Sequence, residues 1–254
     1  MKVISLQSGS NGNCIYVETA GRRLLFDAGI SGLQAQRRLE SHGIDIRRVD
    51  AVFISHDHSD HSRCAGVFLR KFGLPIYATK ETLRAAMSWQ RLGKMDGVRH
   101  FEAGTTIELG DLTVQTVPTP HDAADGVAFV IHSHGKHLGI LTDLGHVFDG
   151  LDDLIATLDA VVLESNYDVR MLRDGPYPLT LKTRIAGPGG HISNIESAQL
   201  LARSGRGLKW ACLAHLSEEN NHPALALATH RDTSPAHLPL IVASRYEASG
   251  VMTV

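Results

Sequence analysis

The sequence predicts a single α/β (α+β) domain in which sheets are covered by helices. Three observations predict it. Apolar runs of strand length recur from residue 2 to residue 244, with helical spacings between them. No linker, low-complexity segment or repeat of fixed period divides the 254 residues. The hydrophobic fraction of 43% and charged fraction of 20% are those of a globular protein with a core of its own.

The elements follow in order. "KVISL" (2–6) reads as a strand, and "CIYVET" (14–19) with "RLLFDAG" (23–29) as a hairpin turning at Ala20–Gly21. Leu33, Gln36 and Leu39 give 32–42 helical spacing, and Gly43 caps its end. "VDAVFIS" (49–55) is a buried strand, 63–73 a helix stopping at Gly73, 74–79 a strand and 80–92 a helix. The middle is β-rich: 98–101, 105–110, 112–118, and 126–143 as two strands around a turn at Ser133–Lys136. A helix near 147–157, a strand at 158–165, a helix at 194–204, a strand at 208–215, a helix at 223–231 and a closing strand at 238–244 complete the alternation.

Composition excludes several classes. A net charge of −2 provides no global attraction to nucleic acid or anionic membrane, so a polyanion would need a local basic patch. Three cysteines, Cys14, Cys64 and Cys212, with no C-x-x-C, fit a reducing cytoplasm better than a disulfide framework. The N-terminus lacks the apolar core of a signal peptide, and no run reaches the length of a membrane span.

The chemistry concentrates in "SHDHSDH" (55–61), directly after the apolar run "AVFI". In an extended segment alternate residues face one side, so His56 and His58 can reach one point. Asp60 and His61 follow, and a turn into the next helix can aim them at a second point. Helix capping by Ser59 or Asp60 would need no such set of imidazoles. Imidazole suits zinc, iron and manganese, and carboxylate shifts the balance towards harder ions. Four further loops place ligand types after apolar strands: His121 in "PTPHDA", Asp143 in "LTDLG", His191 in "GGHISN" and His215 in "AHLSEENN". "HSHGKH" (132–137) falls at a hairpin tip, where polar residues need no metal.

"SHDHSDH", with "LLFDAG" upstream and "PTPHDA", "LTDLG" and "AHLSEENN" downstream, resembles the metallo-β-lactamase superfamily along nearly the whole chain. The resemblance implies a four-layer αββα sandwich with metals at one edge between two sheets. It implies that His56, His58 and His121 bind one divalent ion. Asp60, His61 and His215 would bind a second, Asp143 would bridge, and Asp27 would brace the ligand loop. Mn²⁺ and Zn²⁺ are the expected ions. "SGSNGNC" (8–14), "LESNYD" (163–168), "YPLTLKTRI" (177–185), "GGHISN" and "HLSEENN" further resemble the bacterial WalJ/YycJ group, from Ser8 to about Pro223. That group consists of small cytosolic DNA exonucleases related to ribonucleases of the superfamily. The chain departs from it at "GHISN", where leucine is usual; His191 is unaffected.

The resemblance implies a binuclear phosphodiesterase acting on DNA from the 5′ end, in DNA repair. Asp60 and His191 are the catalytic candidates, with His191 as proton donor to the leaving oxygen or, equally, a capping histidine. Ser10 and Asn13 of the Gly-rich loop are candidates to assist in holding phosphate, alongside its reading as a tight turn. Lys182 and Arg184, which share a face if extended, are candidates to track a strand, with Arg170 and Arg173. The alternatives are a ribonuclease, or a thioesterase or lactonase whose "TPGHT" motif is here "TPHDA". A β-lactamase lacks the histidine after Asp60, and a structural zinc site closes with four ligands rather than seven.

Overall fold

Alternation of side chains along the strands builds the layers of this protein. The computed structural model describes residues 1–254. The first half forms β1 (Lys2–Gln7), β2 (Cys14–Thr19), β3 (Arg22–Phe26), β4 (Ala51–Phe53), β5 (Ile76–Ala78) and β6 (Arg99–His100). The second forms β7 (Thr106–Glu108), β8 (Leu112–Pro118), β9 (Val127–Ser133), β10 (Lys136–Leu141), β11 (Ala160–Glu164), β12 (Trp210–Ala214) and β13 (Leu240–Val242). β14 (Met252–Thr253) returns to pair with β1, so both sheets have seven strands.

Successive residues point to opposite faces. Val3, Phe26, Phe53, Ile140 and Val162 therefore meet between the sheets, where Phe26, Phe53 and Phe129 touch with ring centroids 5.0–5.9 Å apart. Their neighbours Ile4, Leu25 and Val52 face outward under α1 (Gly32–Glu40), α3 (Ala65–Phe72) and α4 (Lys80–Trp89). Val161, Leu163 and Leu213 face outward under α5 (Leu151–Ala156), α8 (Asn194–Ser204) and α9 (Pro223–Thr233). Three apolar layers between four layers of structure make the αββα sandwich.

Strand direction then places the site. β3 to β6 run parallel, as do β10 to β13. β8 pairs antiparallel with β9, and β9 with β10, so β8 points the same way as β10. The carboxyl ends of β8, β10, β11 and β12 thus lie along one edge.

Several expectations need correction. Strand 49–55 stops at Phe53, because residues 54–58 turn out of the sheet into the site. A short helix, α2 (Ser59–Ser62), lies inside the ligand loop. Residues 169–185 contain two helices, α6 (Val169–Asp174) and α7 (Leu179–Ile185), separated by Gly175 and Pro178. Each is under two full turns, so no apolar period could show. Because α7 is helical, Lys182 and Arg184 lie about 200° apart around its axis, not on one face. The strand expected to close the chain is β13, and β14 follows it. The hairpin at 126–143 is as expected: His134 and Gly135 both take positive φ, 50° and 68°, as a two-residue turn of this hand requires.

Candidate metal centre

The ligand loop is shaped by what its imidazoles donate to. Carbonyl and carboxylate oxygens only accept, so the ring nitrogen facing one carries the proton. His58 Nε2 donates to Asp122 O at 3.2 Å, His121 Nδ1 to Gly190 O at 2.8 Å and His61 Nδ1 to Asp27 Oδ2 at 2.7 Å. Ser55 donates its hydroxyl to Asp27 Oδ1 at 2.8 Å, so its Oγ accepts from His56 Nδ1 at 2.9 Å. Asp27 therefore orients His61 directly and His56 through Ser55, as partners of metal-binding histidines do. The other nitrogen of each ring faces inward, and that of His61 has the Asn13 amide Nδ2 2.9 Å away.

Those inward-facing atoms converge. His121 Nε2 lies 3.2 Å from His58 Nδ1, and His56 completes that group. His61 Nε2 lies 3.4 Å from His215 Nε2 and 3.5 Å from Asp60 Oδ2, and Asp60 Oδ2 is 3.2 Å from His215 Nε2. Asp143 stands between the groups, with Oδ2 3.2 Å from His61 Nε2 and Oδ1 3.7 Å from His121 Nε2. Ligand atoms around one tetrahedral zinc, at about 2.05 Å from it, are about 3.3 Å apart. His56 Nε2 and Asp143 Oδ2 are buried without any hydrogen-bond partner. Orphaned buried acceptors at this spacing are what a divalent cation would satisfy, so the residues fit two such ions.

The charges point the same way. Burial opposes ionisation of Asp60 and Asp143, yet His61 and His215 around them hold both carboxyls below the usual range. Burial would lower His215, but Asp143, with Asp60 and Glu164, pushes it up to about 10. Burial and then the neighbouring imidazoles His61, His121 and His58 push His56 well down. The buried carboxylates and the His215 imidazolium stabilise one another's charge, a role that a divalent cation can take over from the proton.

The backbone is strained at the same places. Only five residues other than glycine have positive φ, and Asp27 (66°), Asp143 (56°) and His215 (55°) are three of them. Each turns sharply out of a strand to aim its side chain, and such outliers cluster where function holds them. Gly29 is required for a different reason: a Cβ there would lie 1.6 Å from Asp60 O.

His191 lines the cleft with Ser10, Tyr177 and Arg184, a space of about 190 Å³. Its Nδ1 lies 2.6 Å from Oε1 of Glu164, a fully buried side chain whose Oε2 accepts from Leu144 N at 3.0 Å. Sequence reasoning missed Glu164, although an acid ending the apolar run "AVVLE" is a signal. It also missed a buried amide network. Asn194 accepts from Ser165 and bonds Asn221, while Asn221 Nδ2 reaches the carbonyls of Ser165 and Asn166. This network locks together the loops of "LESNYD", "HISN" and "SEENN".

Other candidates sit elsewhere than expected. Asn13 is buried, with Nδ2 against Gly9 O, Asp60 and His61, so it steadies the ligands rather than facing the cleft. The N–H groups of Gly9, Gly12 and Asn13 are bonded within the fold, which favours the tight-turn reading of "SGSNGNC". Lys182 Nζ turns back to Arg173 O, and Arg173 pairs with Asp174. Arg184 faces the cleft but is held two-pronged by Asp122, at 2.6 and 2.8 Å. His132 and His137 meet edge to face, 4.5 Å apart, near the hairpin tip and belong to no metal-binding group.

Comparison with known proteins identifies the family. Residues 22–215 match the family described as the beta-lactamase superfamily domain. The exodeoxyribonuclease WalJ of Streptococcus pneumoniae serotype 2 (strain D39 / NCTC 7466) is 37% identical over 227 residues, 88% of this chain and 84% of that one. The exodeoxyribonuclease YycJ of Bacillus anthracis is 37% identical over 222 residues, 87% and 84% of the two chains. The metallo-beta-lactamase fold protein YhfI of Bacillus subtilis superposes with a TM-score of 0.72 at 16% identity, over 98% of both chains, a likeness of fold. The chain belongs to the metallo-β-lactamase superfamily, in the family of the WalJ and YycJ exodeoxyribonucleases.

Proposed function

We propose that this protein is a metal-dependent phosphodiesterase that degrades DNA from its 5′ end, in the cytoplasm and in the service of DNA repair. The observation that carries it is the double donor set. His56, His58 and His121 form one group and Asp60, His61 and His215 the other, and Asp143 reaches both. The exodeoxyribonuclease relatives supply the substrate class. When bound, a pair of divalent ions, Mn²⁺ or Zn²⁺, supplies an activated water and neutralises charge on the phosphoryl group.

The chain's own residues do the rest. Asp27 and the carbonyls of Asp122 and Gly190 orient the rings of His61, His58 and His121, so that one nitrogen of each faces inward. Glu164 accepts the Nδ1 proton of His191 and so orients the ring. His191 Nε2 then carries a proton for the leaving oxygen, while Arg184 and Ser10 line the cleft through which the strand passes. Purified protein with Mn²⁺ and end-labelled single- and double-stranded DNA and RNA tests the reading. A ladder of products shortening from the 5′ end of DNA is expected. Hydrolysis of a thioester without any cleavage of DNA would overturn it.

A further inference from the structure

A cavity of about 450 Å³ adjoins the metal cleft, and Ser217 lines both. Its volume lies in the roughly 300–1,000 Å³ range of pockets for small organic ligands. Leu216, Pro223, Val242 and Ala243 give it apolar walls, and Tyr246 lines it with 63% of its surface exposed.

A fixed guanidinium lining this cavity reaches towards the cleft. Arg245 Nη1 donates to Leu216 O at 2.6 Å and approaches Ser10 Oγ at 3.4 Å, while Nη2 bonds Glu218 Oε2 at 2.9 Å. Its Nε is buried with no partner. Gly9 admits this guanidinium, since a Cβ there would lie 2.8 Å from Nη1. Glu218 accepts the Tyr246 hydroxyl on its other oxygen at 2.7 Å. The tyrosine ring is thereby held in place, and the carboxylate is neutralised by Arg245, so neither opposes a polyanion nearby.

An apolar cavity with a restrained aromatic ring at its lip and a cation between it and a phosphodiester site matches a nucleotide: base, then phosphate. We propose that this cavity holds the base of a nucleotide adjoining the scissile bond, with Tyr246 stacking on it and Arg245 standing between base and phosphate. The inference rests on the nuclease reading above and adds where the strand is gripped. Every base offers a stacking face, so the pocket tolerates any sequence and can seat each new terminal nucleotide in turn.

The test uses the intact protein with Mn²⁺ and labelled DNA strands carrying one abasic residue at the first, second or third position from the 5′ end. The wild type is expected to lose roughly tenfold in kcat/KM when the abasic residue occupies one of these positions, the scale of one base–aromatic stack. In Tyr246→Ala that penalty disappears: abasic and intact strands are cut at equal rates. Tyr246→Phe retains it, because the ring remains. Val242→Phe, which fills the cavity from a wall, abolishes it as well and stands in if Tyr246→Ala does not fold. A wild type indifferent to all three abasic positions, or a penalty unchanged in Tyr246→Ala and Val242→Phe, overturns the pocket while leaving the nuclease intact. A wild type that hydrolyses bis(p-nitrophenyl) phosphate but cuts no DNA removes the nuclease reading, and the pocket with it.

Discussion

Asp60 and His191 carry different parts of the chemistry, and single substitutions separate them. Asp60→Ala removes a charged donor from the second group and leaves His61 and His215 facing an open position. Changes in residues merely supporting a metal typically cost roughly 10–100-fold in affinity or activity. Asp60→Ala is expected to cost at least that, with elemental analysis at saturating Mn²⁺ falling from two ions towards one. Near-normal turnover would remove Asp60 from the mechanism. His191→Ala keeps all seven proposed ligands. It is expected to slow single-turnover cleavage by about 10²–10⁴-fold while metal content holds. Glu164 acts through His191 at 2.6 Å. Glu164→Gln combined with His191→Ala is therefore expected to lose little beyond His191→Ala alone, whereas independent roles would multiply.

At the scale of the element, α7 and α9 make separate predictions. α7 turns Arg184 into the cleft and Lys182 back onto Arg173 O, so the two cations should not behave alike. Arg184→Ala is expected to flatten the slope of log affinity for DNA against log salt by about one unit, and Lys182→Ala to leave it unchanged. Measured in Ca²⁺, equal effects of the two would contradict the helix. α9 is docked on α8 by His230, whose Nδ1 bonds Ala226 O at 2.8 Å and whose Nε2 meets Ser197 Oγ at 3.1 Å. Burial pushes the His230 pKa down to about 4 from 6.5. The unfolded chain takes up a proton below 6.5 that the folded protein refuses until about 4, so stability falls as pH drops through that window. The loss is of order 3 kcal/mol at the acid end. Urea denaturation at pH 7 and pH 4.5 is expected to show a smaller acid loss in His230→Gln than in the wild type.

Across the whole molecule, the proposed metal centre joins the two halves. His56, His58, Asp60 and His61 follow β4, whereas His121, Asp143 and His215 come from loops of the second sheet. Ions bound only by the folded state add to its stability, about 2.7 kcal/mol at a hundredfold excess over Kd. Mn²⁺ or Zn²⁺ is therefore expected to raise Tm and EDTA to reverse it, with a smaller shift in Asp60→Ala. No shift would sever the link between site and fold. The apolar contact between the sheets is the other bond between halves. Phe129→Ala empties a space bounded by Phe26 and Phe53 and is expected to cost about 3–5 kcal/mol in urea denaturation.

The amino-acid sequence by itself determined the layers and marked out candidate donors. Strands betray themselves by apolar runs such as "AVVLE" and "WACLA", and α8 spans the expected 194–204, its start held by a capping box of Ser193 and Glu196 that is local in the chain. The candidates His56, His58, Asp60 and His61 stand out because so many imidazoles and carboxylates within seven positions have no packing purpose, whereas His121, Asp143 and His215 join them as candidate donors through the resemblance to the superfamily. Tertiary structure decided what depends on neighbours distant in sequence. Glu164 looks like the end of a strand until His191, 27 residues later, is folded against it. Asn13 looks exposed in a glycine-rich turn until Asp60 closes over it, 47 residues on. α6, α7 and β14 are too short to show a period; Asp168 caps α6, and β14 is held by its partner strand. Local pattern records which face of an element is apolar; a buried polar contact is recorded only in the pair, and the pair exists only once the chain has folded.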